Sequence, residues 1–96
     1  MKGNSLTEFI DDLLTMGGPE KEFQFHGKVY MLETYYDSTD GMNEMVVFEC
    51  NDSDNPYIFR CKRRSLNDCV KEFEHANIFD GKSIYEAERE IEVLYG

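Results

Sequence analysis

Three times in this chain a serine stands three residues ahead of an acid: Ser5-Leu6-Thr7-Glu8, Ser65-Leu66-Asn67-Asp68 and Ser83-Ile84-Tyr85-Glu86. In such a box the serine oxygen accepts an orphan amide of the first helical turn. The acid reaches back and sits at the positive end of the helix dipole. Each box heads an apolar stripe at helical spacing. The first predicts a helix from about Leu6 to Met16, with Leu6, Phe9, Ile10, Leu13 and Leu14 on one face and Gly17-Gly18-Pro19 as its stop. The second predicts Leu66 to Ala76, striped by Leu66, Cys69, Val70 and Phe73. The third predicts Ile84 to Leu94, with Ile84, Ala87, Ile91 and Leu94 as the seam and Glu86, Glu88, Glu90 and Glu92 on the remaining surface.

Between the first two helices the period changes from helical to strand-like. Glu22 to His26 alternates, with Phe23 and Phe25 facing one way. Gly27-Lys28 reads as a tight turn into a longer strand, Val29 to Tyr36, so the pair predicts a hairpin. Asp37-Ser38-Thr39-Asp40-Gly41 has turn chemistry. Met45 to Cys50 follows as a third strand, Asn51 to Pro56 as a polar turn, and Tyr57 to Lys62 as a fourth strand. Short turns between successive strands give an antiparallel meander, and three amphipathic helices can cover one of its faces. The expected fold is α+β: a four-stranded antiparallel meander covered by helices, in the order α-β-β-β-β-α-α. Ninety-six residues make one domain, 1–96, with no repeat and no linker long enough to divide it.

The formal charge is −10, with 20 acids against 10 lysines and arginines. Such a chain repels nucleic acid and anionic membrane, and its natural charged partners are basic surfaces. Cys50, Cys61 and Cys69 are odd in number and lack CxxC spacing, which predicts reduced thiols and a cytoplasmic location. Cys61 and Cys69 fall where small buried residues belong. The N-terminal residues lead into Glu8, Asp11 and Asp12 without a long apolar run, so neither a signal peptide nor a membrane span is predicted.

The usual chemistries find no footing. Nucleophilic catalysis needs a serine or cysteine beside a histidine base. The only histidines are His26, at a hairpin turn, and His75, near a helix end where it favours the negative pole. Cys61, Cys69 and His75 lack the close pairs of structural zinc. Asp52-Ser53-Asp54-Asn55 opens like a calcium loop, but Pro56 replaces a ligand and no glutamate closes it. No glycine-rich phosphate loop is present. No enzyme activity and no cofactor are therefore expected. Arg60, Lys62, Arg63 and Arg64 form one basic knot, which pairing with acids of a neighbouring strand explains better than phosphate binding.

What stands out is where the acids lie. Between Lys28 and Arg60 there is no basic residue, yet there are seven acids: Glu33, Asp37, Asp40, Glu44, Glu49, Asp52 and Asp54. Same-face residues of a strand stand about 6.6–6.8 Å apart, and i,i+4 residues of a helix about 6 Å. Phosphates recur along a nucleic-acid strand on a similar scale. Glu33, Glu49 and the turn acids are expected on the outer face and rims of the sheet, and carboxylates so displayed can occupy lysine and arginine sites built for a nucleic-acid backbone. Tyr35, Tyr36 and Tyr57 would add aromatic anchors at the rim, although sheet packing also suits them. These ten residues are the candidate partner-binding site.

In layout, size and charge the chain resembles the small acidic anti-CRISPR proteins of phages and mobile elements, particularly inhibitors of type II-A Cas9. The resemblance rests on Ser5-Leu6-Thr7-Glu8-Phe9-Ile10, the strand region Phe23 to Lys62, and two closing helices. The fourth strand and the basic knot depart from that layout. It implies a non-enzymatic inhibitor that acts as a DNA mimic in a bacterial host cell, with Cas9 or its guide complex as the partner. The alternative is an acidic regulatory or homo-oligomerising module whose charge serves only solubility and whose contact is Ile78-Phe79 or Tyr95.

Overall fold

The computed structural model describes residues 1–14, 20–50 and 57–95. The Gly17-Gly18-Pro19 stop and the polar turn with Asp52 and Asp54 lie outside the described residues.

The serine boxes do open helices, each in its own way. Ser5 accepts the amide of Glu8 at 3.1 Å and starts α1, Leu6–Leu13. Ser65 precedes α2, Leu66–His75, but its side chain makes no capping bond. Ser83 forms the full reciprocal box: it accepts from the Glu86 amide at 3.3 Å, and Glu86 accepts from the Ser83 amide at 3.0 Å. The helix it starts, α3, nonetheless spans only Ile84–Ala87.

The strands are β1 (Lys21–Phe25), β2 (Lys28–Asp37), β3 (Met42–Glu49) and β4 (Phe59–Arg63). They form the expected antiparallel meander. The first turn is His26-Gly27 rather than Gly27-Lys28, since Phe25 pairs with Lys28. Both turn residues have positive φ, 50° and 78°, as a two-residue primed turn requires. In the second turn Asp37 Oδ1 accepts from the Thr39 amide, and the Gly41 amide closes onto the Asp37 carbonyl at 2.8 Å.

Among the described residues the sheet has five strands, where four were expected. After α3 a 3₁₀ turn, Glu88–Glu90, leads into β5, Ile91–Tyr95, where the third helix was expected to continue. The sheet order is β4-β3-β2-β1-β5, every neighbour antiparallel. Two physical reasons favour the strand. A helix through Leu94 would stack Glu86 on Glu90 and Glu88 on Glu92, and like charges at that spacing destabilise it. Ile91-Glu92-Val93 also alternates, and β1 needs a second partner to shelter Phe23 and Phe25, which pair with Val93 and Ile91. The outer edge of β5 is covered in turn. The Lys2 amide donates to Ile91 O at 3.0 Å, and the Val93 amide donates to Lys2 O at 2.8 Å.

All three helices pack on one sheet face. Leu6, Phe9 and Leu13, Cys69, Val70 and Phe73, and Ile84 and Ala87 close over Phe23, Phe25, Leu32, Met45, Val47, Cys61 and Ile91. Phe9, Phe23, Phe73 and Phe79 form the aromatic centre, with ring centroids 5.9–6.5 Å apart at successive contacts. Lys21 is fully buried at 0% exposure; its ammonium meets Asp12 Oδ2 at 2.8 Å and lies 5.3 Å from the Phe9 ring centre. A buried ammonium needs such a partner, so this contact fastens α1 to β1. No helix among the described residues is long and apolar enough to cross a membrane.

Candidate functional site

Because the helices take one face, the alternate residues of every strand emerge on the other. That face carries Glu22, Val29, Met31, Glu33, Tyr35, Glu44, Val46, Phe48, Arg60 and Lys62, as the register shows. None belongs to the helix-side core. Met31 faces Phe48 across the ladder, and Val46 lies between Glu33 and Arg60. Tyr57 sets its ring edge-on to Phe48, centroids 6.2 Å apart. The face is thus a half-buried apolar strip of Val29, Met31 and Phe48, with Val46 covered at 2% exposure, and charges and tyrosines around it.

Six of the ten candidate residues gather on this face or at its hairpin end. Tyr35 donates its hydroxyl to Glu33 at 2.5 Å, and this bond, before burial, pushes its pKa up to about 12. Arg60 donates from Nε to Glu44 at 2.5 Å while its guanidinium lies 5.8 Å from the Tyr57 ring centre. Lys62 reaches Asp40 at 2.9 Å, which holds the Asp40 carboxyl below its ordinary range and raises the lysine. Asp37 braces its own turn. A recess of about 320 Å³ opens here, lined by Tyr35, Tyr36, Asp37, Met42, Glu44 and Lys62.

The remaining candidates part company. Tyr36 alternates to the opposite side of the pleat yet stays 66% exposed and lines the recess. Glu49 shares the parity of Met45 and Val47 and stands opposite Tyr30, on the helix side. Asp52 and Asp54 lie outside the described residues. Asp40 and Glu44 are thus engaged by the chain's own cations, and Glu33 by a hydroxyl.

Sequence reasoning passed over Glu20 and Glu22. Glu22 faces out because its neighbours Lys21 and Phe23 face in. Both add to the field around Glu33: Glu20 helps raise Tyr35, and Cys50 is pushed up by burial first and then by Glu22, Glu33 and Glu49. Among the described residues neither Glu20 nor Glu22 has an ion pair. The alternation of β1 was the available signal.

The basic knot is spent largely on internal pairs, Arg60 with Glu44, Lys62 with Asp40 and Arg63 with Glu72 at 2.7 Å. Cys61 and Cys69 are buried, and the Cys61 thiol donates to Glu72. His75 bonds the Lys71 carbonyl at 2.8 Å. Among the described residues no three histidine, cysteine or acidic side chains are placed to hold a metal ion. Compared with known protein families, curated proteins and solved structures, the chain matches none.

Proposed function

We propose that this protein is a non-enzymatic binding protein that docks through the helix-free face of its sheet onto a basic surface of a nucleic-acid-handling protein and blocks it, as an anti-CRISPR inhibitor blocks Cas9. One observation carries the reading: a single sheet face combines an apolar strip, two half-exposed tyrosines and acids in excess of the chain's own cations. Tyr35 and Tyr57 are 51% and 45% exposed, suited to anchoring a contact. Glu20, Glu22, Glu33 and Asp37 supply the negative charge that steers a basic partner. Asp40 and Glu44 contribute less than the sequence suggested, because Lys62 and Arg60 already hold them.

The test is a DNA-cleavage reaction run by a type II-A Cas9–guide complex, with the protein titrated in at low and high salt. The proposal expects stoichiometric inhibition at low salt that weakens as salt rises. Full cleavage at every ratio, with no complex by gel filtration, removes that partner.

Self-association is the second reading, and Tyr95 favours it: it is 66% exposed on the last strand, beside Leu94 at 44%. Phe79 no longer supports it, being buried at 1% within the aromatic centre. A dimer that persists at high salt in light scattering would favour this reading.

A further inference from the structure

His26 occupies the β1–β2 turn with a left-handed backbone, and its ring lies against Phe25, centroids 3.9 Å apart. Both ring nitrogens meet carboxylates from distant segments. Nδ1 stands 2.7 Å from Asp80 Oδ2, in the turn that follows α2, and Nε2 stands 2.6 Å from Glu90 Oε1, one residue before β5. A neutral imidazole has one N–H, so it satisfies one carboxylate and turns a lone pair on the other. Only imidazolium donates to both. We propose that His26 is a proton-operated latch, which as imidazolium ties the hairpin to Asp80 and Glu90 and on losing its proton frees the start of β5.

The surrounding charges fit. Lys82 faces Glu90 at 3.8 Å and shares that carboxylate with the imidazolium, lowering it after His26 does. Tyr30 of β2 feels Asp80 and is raised chiefly by burial. The N-terminal ammonium faces Glu88 at 3.8 Å, on the same 3₁₀ turn. Phe25 contributes no charge. The His26 pKa is raised, first by the bond to Glu90 and then by the bond to Asp80, and Glu90 is lowered, first by His26. A histidine raised by folding stabilises fully below its unfolded value and loses that contribution as pH climbs through the folded midpoint. The lowered Glu90 adds a contribution that is lost as pH falls through its own midpoint. The latch is therefore closed between the two.

Two measurements test it. Ring ¹⁵N shifts across pH should show both His26 nitrogens protonated below a midpoint that lies above 6.5, the ordinary histidine value. Asp80→Asn and Glu90→Gln should each lower that midpoint. Amide exchange of β5, corrected for its intrinsic rate, should accelerate as pH rises through the midpoint in the wild type and lose that step in His26→Asn, since asparagine tolerates the left-handed turn. A midpoint at or below 6.5, or one unmoved by both carboxylate variants, overturns the latch. So does an identical exchange profile in the wild type and His26→Asn. If His26→Asn does not fold, the two carboxylate variants decide, because they leave the turn intact.

Discussion

Ser83 and Ser65 head similar sequences, yet only Ser83 completes its box. Ser83→Ala should therefore cost about 1 kcal/mol in urea unfolding, the usual loss for a working cap, while Ser65→Ala stays within about 0.5 kcal/mol. Equal effects would mean that the capping bonds are irrelevant. On the helix-free sheet face, Tyr35 should titrate near 12 by phenolate absorbance, against an ordinary value of 10. A phenol raised by folding stabilises below pH 10 and loses that contribution as pH rises through about 12. Glu33→Gln, which removes the leading cause, should bring the titration back toward 10; an unmoved curve would deny the Glu33 bond. The outward direction of Glu33 was legible from alternation, whereas Glu49, expected on the same outer face, lies on the helix side opposite Tyr30. The bond from Tyr35 to Glu33 was not legible, because the pleat fixes a side chain's face and leaves its rotamer free. The His26 clamp was illegible for a related reason: Asp80 and Glu90 lie 54 and 64 residues away in sequence.

The elements divide by how far their signals reach. Strands β1 to β4 followed from local alternation and turn chemistry, with ends shifted by a residue or a few. The last strand did not, because Ile84, Ala87, Ile91 and Leu94 satisfy a helical stripe as well as they satisfy a turn followed by a strand. The decision lay with β1, which needed a partner that no local window contains. This yields a sharp test. In the strand, Ile91 is buried at 2% while Leu94 is 44% exposed. Ile91→Ala should cost about 2–5 kcal/mol, and Leu94→Ala no more than about 0.5 kcal/mol. Comparable losses at both positions by chemical unfolding would restore the helix. Lys21 lies one residue ahead of the strand expected from Glu22, yet strand parity puts it beside Phe23 and Phe25, where Asp12 and the Phe9 ring receive it.

At the scale of the whole molecule, the described helices all pack on one sheet face and leave the other free of them. The middle-third acids looked from sequence like one continuous polyanion. Folding turned Glu49 to the helix side, matched Asp40 and Glu44 with Lys62 and Arg60, and brought Glu20 and Glu22 up beside Glu33. The charge that remains is narrower and sits next to tyrosines and an apolar strip, so specificity should depend on the aromatics and association rate on the acids. The most direct measurement is calorimetric titration of a type II-A Cas9–guide complex with three forms of the protein. These are the wild type, a face variant (Glu22→Gln, Glu33→Gln, Tyr57→Ala), and a helix-side variant (Glu74→Gln, Asp68→Asn) of equal fold by circular dichroism. Salt-sensitive binding is expected, which the face variant weakens tenfold or more, a loss of at least about 1.4 kcal/mol, and which the helix-side variant leaves within twofold. Binding unchanged in the face variant, or absent in the wild type at low salt, would contradict it.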